Sequence, residues 1–284
     1  MPSNYAHYRF GQELYPWLPE GARRDIAAFP ELFKIGLHGP DIFFYYQPLH
    51  SNTVTRKGAA MHARLGSDYL DPAVRVVREC EVDRGERAYL YGFVCHFMLD
   101  SCSHWYVEKA IGETGVSHVG IEGEFDRMLM KLDGLDPVRT MTAPHIVPSE
   151  ENGEVIARFF PDLTGKQVQT ALRGMVRYSN LFCCPDGAKR KVVTGGIHLL
   201  GLDESVGGMV INLEPDPRCE RSNQVLLDLF DTALEETEDL MPLVEESLRT
   251  GCPLPERFHR TFGPDEISEK DYETYETGEI MDTV

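Results

Sequence analysis

Positive charge is scarce in this chain: 28 lysines and arginines stand against 46 aspartates and glutamates, a formal net charge of −18 at neutral pH. Proteins that track nucleic-acid phosphates need the reverse, with basic residues clustered on one face, so no stable nucleic-acid complex is expected. Long hydrophobic runs are missing too. No stretch approaches the ~20 apolar residues of a membrane span. The opening Met-Pro-Ser-Asn-Tyr-Ala-His has no apolar segment of the signal-peptide kind, which makes a cytoplasmic location the expectation. The seven cysteines are an odd number without the dense spacing of a secreted disulfide scaffold, and Cys95 and Cys102 read as buried thiols. Alternating strand patterns are rare.

What remains is helical. Helices are expected from Arg23 to Lys34 with a break near Pro30, from Asn52 to Leu70 behind a Ser51 or Asn52 cap, and from Arg87 to Ala110. Further helices are expected from Ser117 to Lys131, Thr164 to Arg177, and Ser222 to Leu248 with a kink at Pro242. Between Pro185 and Pro217, glycines and short β-branched runs point to a loop-rich excursion, with a small hairpin as one form of it. The fold class is therefore all-α: a multi-helix bundle with a metal site between its helices. Residues 1–263 are expected to form one domain. Residues 264–284 form an acidic tail, with eight acidic residues and a single lysine from Asp265 onward, and are expected to be disordered.

The strongest signal lies in the third of these helices. His96, Asp100 and His104 recur at four-residue steps, so they share one helix face as a ladder ~12 Å long. That is too long for one ion with bonds of ~2.1 Å. Fourteen residues on, His118 and Glu122 repeat the spacing. The economical arrangement uses two metals, one served by His96 and Asp100, the other by His104, His118 and Glu122. Burying these groups on the apolar face implied by Leu90, Phe93, Phe97 and Met98 without a cation would be costly. Imidazoles outnumber carboxylates in this set, and its spacing is His-x-x-x-Asp and His-x-x-x-Glu rather than the Glu-x-x-His of carboxylate-rich iron bundles, so zinc is favoured over iron. His38 reads as a turn or supporting residue. Asp126, one turn beyond Glu122, either orients a ligand or is solvated.

As an ordered set, Tyr91-Gly-Phe-Val-Cys-His96-Phe-Met-Leu-Asp100-Ser-Cys-Ser-His104, His118-Val-Gly-Ile-Glu122, Gly39-Pro-Asp41-Ile-Phe-Phe-Tyr-Tyr and Pro48-Leu-His50 resemble the zinc-dependent phospholipase C family. That family is related to the single-strand-specific zinc nucleases and to the N-terminal domain of glycosylphosphatidylinositol-specific phospholipase D. The resemblance covers roughly residues 1–130. It implies that Asp41, His50, His96 and Asp100 bind one zinc, with His62 as the competing fourth ligand, and that His104, His118 and Glu122 bind a second. It implies a third at His7, bridged by Asp100 and completed by the main chain of an N-terminal Trp. No Trp stands at the start here, and Pro2 is the amine expected after methionine removal.

The implied activity is hydrolysis of a phosphodiester, with phospholipids the leading substrate class, by water activated at two or three zinc ions. Asp41 is the candidate base for that water. The alternatives are a single-strand-specific nuclease, which the acidic balance opposes, and a non-catalytic zinc-binding protein that keeps the fold.

Overall fold

The structure, a computed structural model, describes residues 4–80 and 85–263. Its helices in chain order are α1 (Asn4–Leu14), α2 (Glu20–Ala28), α3 (Pro30–Gly36), α4 (Thr53–His62), α5 (Ser67–Glu79) and α6 (Gly85–Thr114). Then follow α7 (His118–Leu132), α8 (Glu150–Ala157), α9 (Gly165–Phe182), α10 (Ala188–Leu199), the single turn α11 (Asp203–Val206) and α12 (Glu220–Thr250). Among the described residues there is no strand, only an isolated bridge between Leu65 and Thr261. The fold is all-α. No described helix is long and apolar enough to cross a membrane. The acidic tail lies outside the described residues.

α6 is the axis. It is buried on every side from Ala88 to Cys102 apart from partial exposure elsewhere along its length, which marks it as an interior helix rather than an amphipathic surface one. One continuous core runs around it from Tyr5 to Phe262. α3 crosses α6 where Gly36 meets Gly92: a Cβ on Gly92 would lie 2.2 Å from the Phe33 carbonyl oxygen, and one on Gly36 the same distance from that of Tyr89. Only two glycines allow backbones this close. The chain then turns at Gly39, whose φ of +45° suits glycine, into a 3-10 helix, Gly39–Tyr45, that carries Asp41.

Local chemistry explains several boundaries. Phe29 separates α2 from α3 because the residue before a proline avoids the helical region, and Pro30 opens α3. Asn52 caps α4 in a reciprocal box with Thr55, and Ser117 caps α7. The single helix expected from Asn52 to Leu70 is instead two. Gly66 donates its N–H to the Arg260 carbonyl, and Leu65 pairs with Thr261, so a distant segment of chain interrupts the helix at residues 63–66. The excursion between Pro185 and Pro217 contains α10 and α11 rather than a hairpin. Its Val192-Val193 run belongs to a helix that Val193 and Ile197 anchor inward.

The glycine crossing predicts a specific defect. Gly92→Ala is expected to force α3 off α6, costing ~2 kcal/mol by overpacking and lowering the melting temperature by about 4–8 °C. Calorimetry checks it, and an unchanged melting temperature would show that the two backbones separate without penalty.

Candidate metal centre

Five elements bring acids and imidazoles to one buried stripe of α6. α6 contributes His96, Asp100 and His104; α1 contributes His7; the 3-10 turn, Asp41; α4, His62; and α7, His118 and Glu122. Asp100 sits between two groups. Its Oδ2 lies 3.1 Å from His96 Nε2 and 3.6 Å from His62 Nε2, while its Oδ1 lies 3.1 Å from His7 Nε2 and 3.7 Å from His104 Nε2. Asp41 approaches from the other side, with Oδ1 3.0 Å from His62 Nε2 and Oδ2 3.7 Å from His96 Nε2. Glu122 Oε1 closes the second group, 3.4 Å from His104 Nε2 and 3.2 Å from His118 Nε2. One donor atom each from His7, Asp41, His96 and Asp100 lies within 4.8 Å of the others, and the same holds for His104, His118 and Glu122.

The outer ring nitrogens decide what the inner ones can do. His104 Nδ1 faces the Phe262 carbonyl at 2.8 Å and His62 Nδ1 the Gly58 carbonyl at 2.8 Å. His118 Nδ1 faces a Glu108 carboxylate oxygen at 2.9 Å. Carbonyl and carboxylate oxygens only accept, so each Nδ1 carries the hydrogen and donates it. Every Nε2 therefore aims a lone pair at a carboxylate unless a proton or a cation lies between. This is the tautomer that metal-binding histidines adopt when a carboxylate or carbonyl holds the far nitrogen.

Electrostatics say the same. Both oxygens of Asp41, Oδ2 of Asp100, Oε2 of Glu122 and Nε2 of His96 are buried without a well-directed hydrogen bond, close as their neighbours are. They point past one another at shared space. Burial alone would raise these acids, yet the imidazoles around them win: His104 and His96 hold Asp100 well below the usual carboxylate range, and His118 and His104 depress Glu122. Glu122 in return pushes His118 up to about 9. Against its own burial, His62 is raised to about 10 by Asp41 and Asp100. Three interior carboxylates, each costing several kcal/mol to desolvate, are tolerable only with cations among them. The donor set is nitrogen and oxygen without sulfur, which fits zinc.

His50 does not join this arrangement. It is exposed, in a turn where its N–H bonds the Gln47 carbonyl and its own carbonyl receives the Asn52 side chain. The Asn52 cap starts α4 there and sends His62, three turns on, into the centre instead. His38 is buried but pairs with His145, their Nε2 atoms 2.7 Å apart, behind Gly39, and it reaches no carboxylate. A Cβ on Gly39 would lie 2.1 Å from the His96 ring. Asp126 accepts the N–H groups of Tyr5 at 3.0 Å and Ala6 at 2.8 Å, so it fixes the first turn of α1 and, through it, His7. The remaining donors expected for a third ion, at the start of the chain, lie outside the described residues.

Sequence reasoning missed Glu108 and Phe262. Glu108 stands ten residues before His118 and one turn past His104 on the same helix, a spacing that a search for supporting carboxylates could have caught. Nothing in the sequence marks the Phe262 carbonyl, since any residue supplies one. Beside the second group, a small pocket with a volume of about 30 Å³ is lined in part by Glu122. Its lining combines the polar side chains of Asn4, Thr142 and Ser179 with the apolar ones of Val119, Met209 and Ile211.

Comparison with known proteins agrees with this geometry. No characterised protein and no solved structure matches the chain. The family model described as zinc dependent phospholipase C matches residues 6–172, a span that contains every histidine and carboxylate of the two groups. The chain belongs to the zinc-dependent phospholipase C family.

Proposed function

We propose that the protein is a zinc-dependent hydrolase of phosphodiesters, with Asp41, His62, His96 and Asp100 holding one ion and His104, His118 and Glu122 another. His7 lies against the shared carboxylate of Asp100. The observation that carries the proposal is the convergence of lone pairs from imidazoles and carboxylates on the two sides of Asp100, next to a small pocket lined by Glu122. A zinc held only to stabilise the fold would need no such pocket.

Zinc there supplies Lewis acidity toward phosphoryl oxygens and lowers the pKa of water. The chain's own residues do the rest. Asn4, Thr142 and Ser179, which hydrogen-bond in sequence to one another, line the pocket beside Glu122 and would exchange those bonds for a phosphoryl group, alongside the apolar Val119, Met209 and Ile211. Asp41, buried beside His62 and His96, is the candidate base for the attacking water. Phe262, Gly58 and Glu108 keep the three imidazoles in the tautomer described above.

Elemental analysis of untagged protein is expected to find at least two zinc ions per chain. His62→Ala and Asp100→Asn should each lose zinc, whereas His50→Ala should keep it. Retention by His62→Ala together with loss by His50→Ala would reverse the assignment of the first group. Glu108→Gln should weaken zinc binding about tenfold, the low end for a supporting carboxylate because Glu108 is half exposed. Equal affinity would leave Glu108 without a role.

The pH dependence has a definite sign. Without metal, His62 and His118 titrate at about 10 and 9, so at pH 7 both are protonated. Zinc needs them neutral, so its binding must release protons and weaken as the pH falls. Titration calorimetry in buffers of different ionisation enthalpy measures the release. A heat independent of buffer would contradict the geometry. Zinc-loaded protein is expected to cleave at least one member of a panel of lipid, nucleic-acid and small soluble phosphodiesters, and cleavage of none would sink the proposed activity.

A further inference from the structure

α10 turns an apolar face to solvent. Its inner side packs Val193 and Ile197 into a satellite core with Cys184, Phe182 and Val210. Phe182 also lines the pocket beside Glu122, so this small core fixes α10 at the pocket's rim. With successive residues about 100° apart around the helix axis, the opposite face carries Ala188, Lys191, Val192, Gly195 and Leu199. Val192 is 74% exposed and Leu199 86%, the highest values for large hydrophobic side chains among the described residues, and the neighbouring Leu200 is 66% exposed.

Charge sets the segment apart as well. Residues 187–202 contain no carboxylate although the chain has 46, and Lys189-Arg190-Lys191 is its only run of three basic residues. Lys189 donates to the carbonyls of Asn180 and Cys183, and Arg190 to those of Cys184 and Ile211. These bonds tie α10 to the end of α9 and keep positive charge at its base. An outward apolar stripe that carries Lys191, with Lys189 and Arg190 held at its base, has the composition of a helix that lies in a lipid interface. A stable protein partner would need about 800 Å² of surface from this side, more than one convex face of a short helix presents. A bilayer needs only a few apolar side chains and attracted charge. A chain with a net charge of −18 would otherwise be repelled from anionic lipid, so the approach has to be local.

We propose that α10 seats the protein on the surface of an anionic phospholipid bilayer and turns the pocket toward the lipid head groups. This rests on the phosphodiesterase reading for its purpose but not for its test. Full-length, zinc-loaded protein is sedimented with vesicles of phosphatidylcholine alone and of equal parts phosphatidylcholine and phosphatidylserine. Binding is expected only to the anionic vesicles and is expected to weaken with salt. V192D and L199D, at exposed positions that the fold does not use, should each reduce it at least about tenfold. Both should keep the wild-type circular dichroism, zinc content and rate on a soluble phosphodiester.

Failure of the wild type to bind anionic vesicles, or undiminished binding by both variants, overturns the proposal. So does a sedimentation-equilibrium result in which these substitutions dissolve a dimer and leave lipid binding intact, since a second copy would then own the face. Vesicle binding that depends on Val192 and Leu199 in a protein that cleaves no phosphodiester would uphold the docking surface and defeat the proposed activity alone.

Discussion

A carboxylate in the middle of a protein is the constraint around which this structure is arranged. Asp100 is almost wholly buried at the centre of the most buried helix, with each oxygen turned to a different set of imidazoles. Asp41 and Glu122 place two more acids a few ångströms away. Such a cluster is stable only if positive charge is shared among its members, and the ring nitrogens that face it are prepared, by their outer hydrogen bonds, to receive that charge from outside the chain. A metal bound there, as proposed, would couple its binding to folding through the same few atoms.

Features that look like ordinary packing serve this cluster. The Gly36–Gly92 crossing brings α3 close enough for the next turn to deliver Asp41, and Gly39 leaves room for the His96 ring. Asp126 anchors the first turn of α1, which fixes where His7 points. From the far end of the described chain, Phe262 meets the Phe97 ring edge-on and Phe258 meets it at a tilt, and the Phe262 carbonyl reaches His104. This last support comes from beyond the stretch that the family model matches, so the later helices do more than cover the core.

The reading of the first metal group shows how local order can mislead. His50 follows the Gly-Pro-Asp motif at an attractive distance along the chain, and His62 sits on the next helix. Distance along the chain favoured the former. Yet residues 47–50 form an exposed turn that ends in the Asn52 cap, and the capped helix carries His62 inward. The break after His62 was equally hidden, because it is imposed by a bond from Gly66 to Arg260, nearly two hundred residues away.

From the sequence alone came the helical class, most helix positions, the caps at Asn52 and Ser117, and the convergence of His96, Asp100, His104, His118 and Glu122. All of these depend on periodicity or on contacts within a few turns, which a linear pattern records directly. Tertiary structure alone decided that His62 rather than His50 faces Asp41, that His38 pairs with His145, and that Glu108 and Phe262 orient the imidazoles. It also decided that α10 turns an apolar face outward beside the pocket. Each of these follows from how far one helix backbone can approach another and which side it then presents, and no spacing along a single chain encodes that.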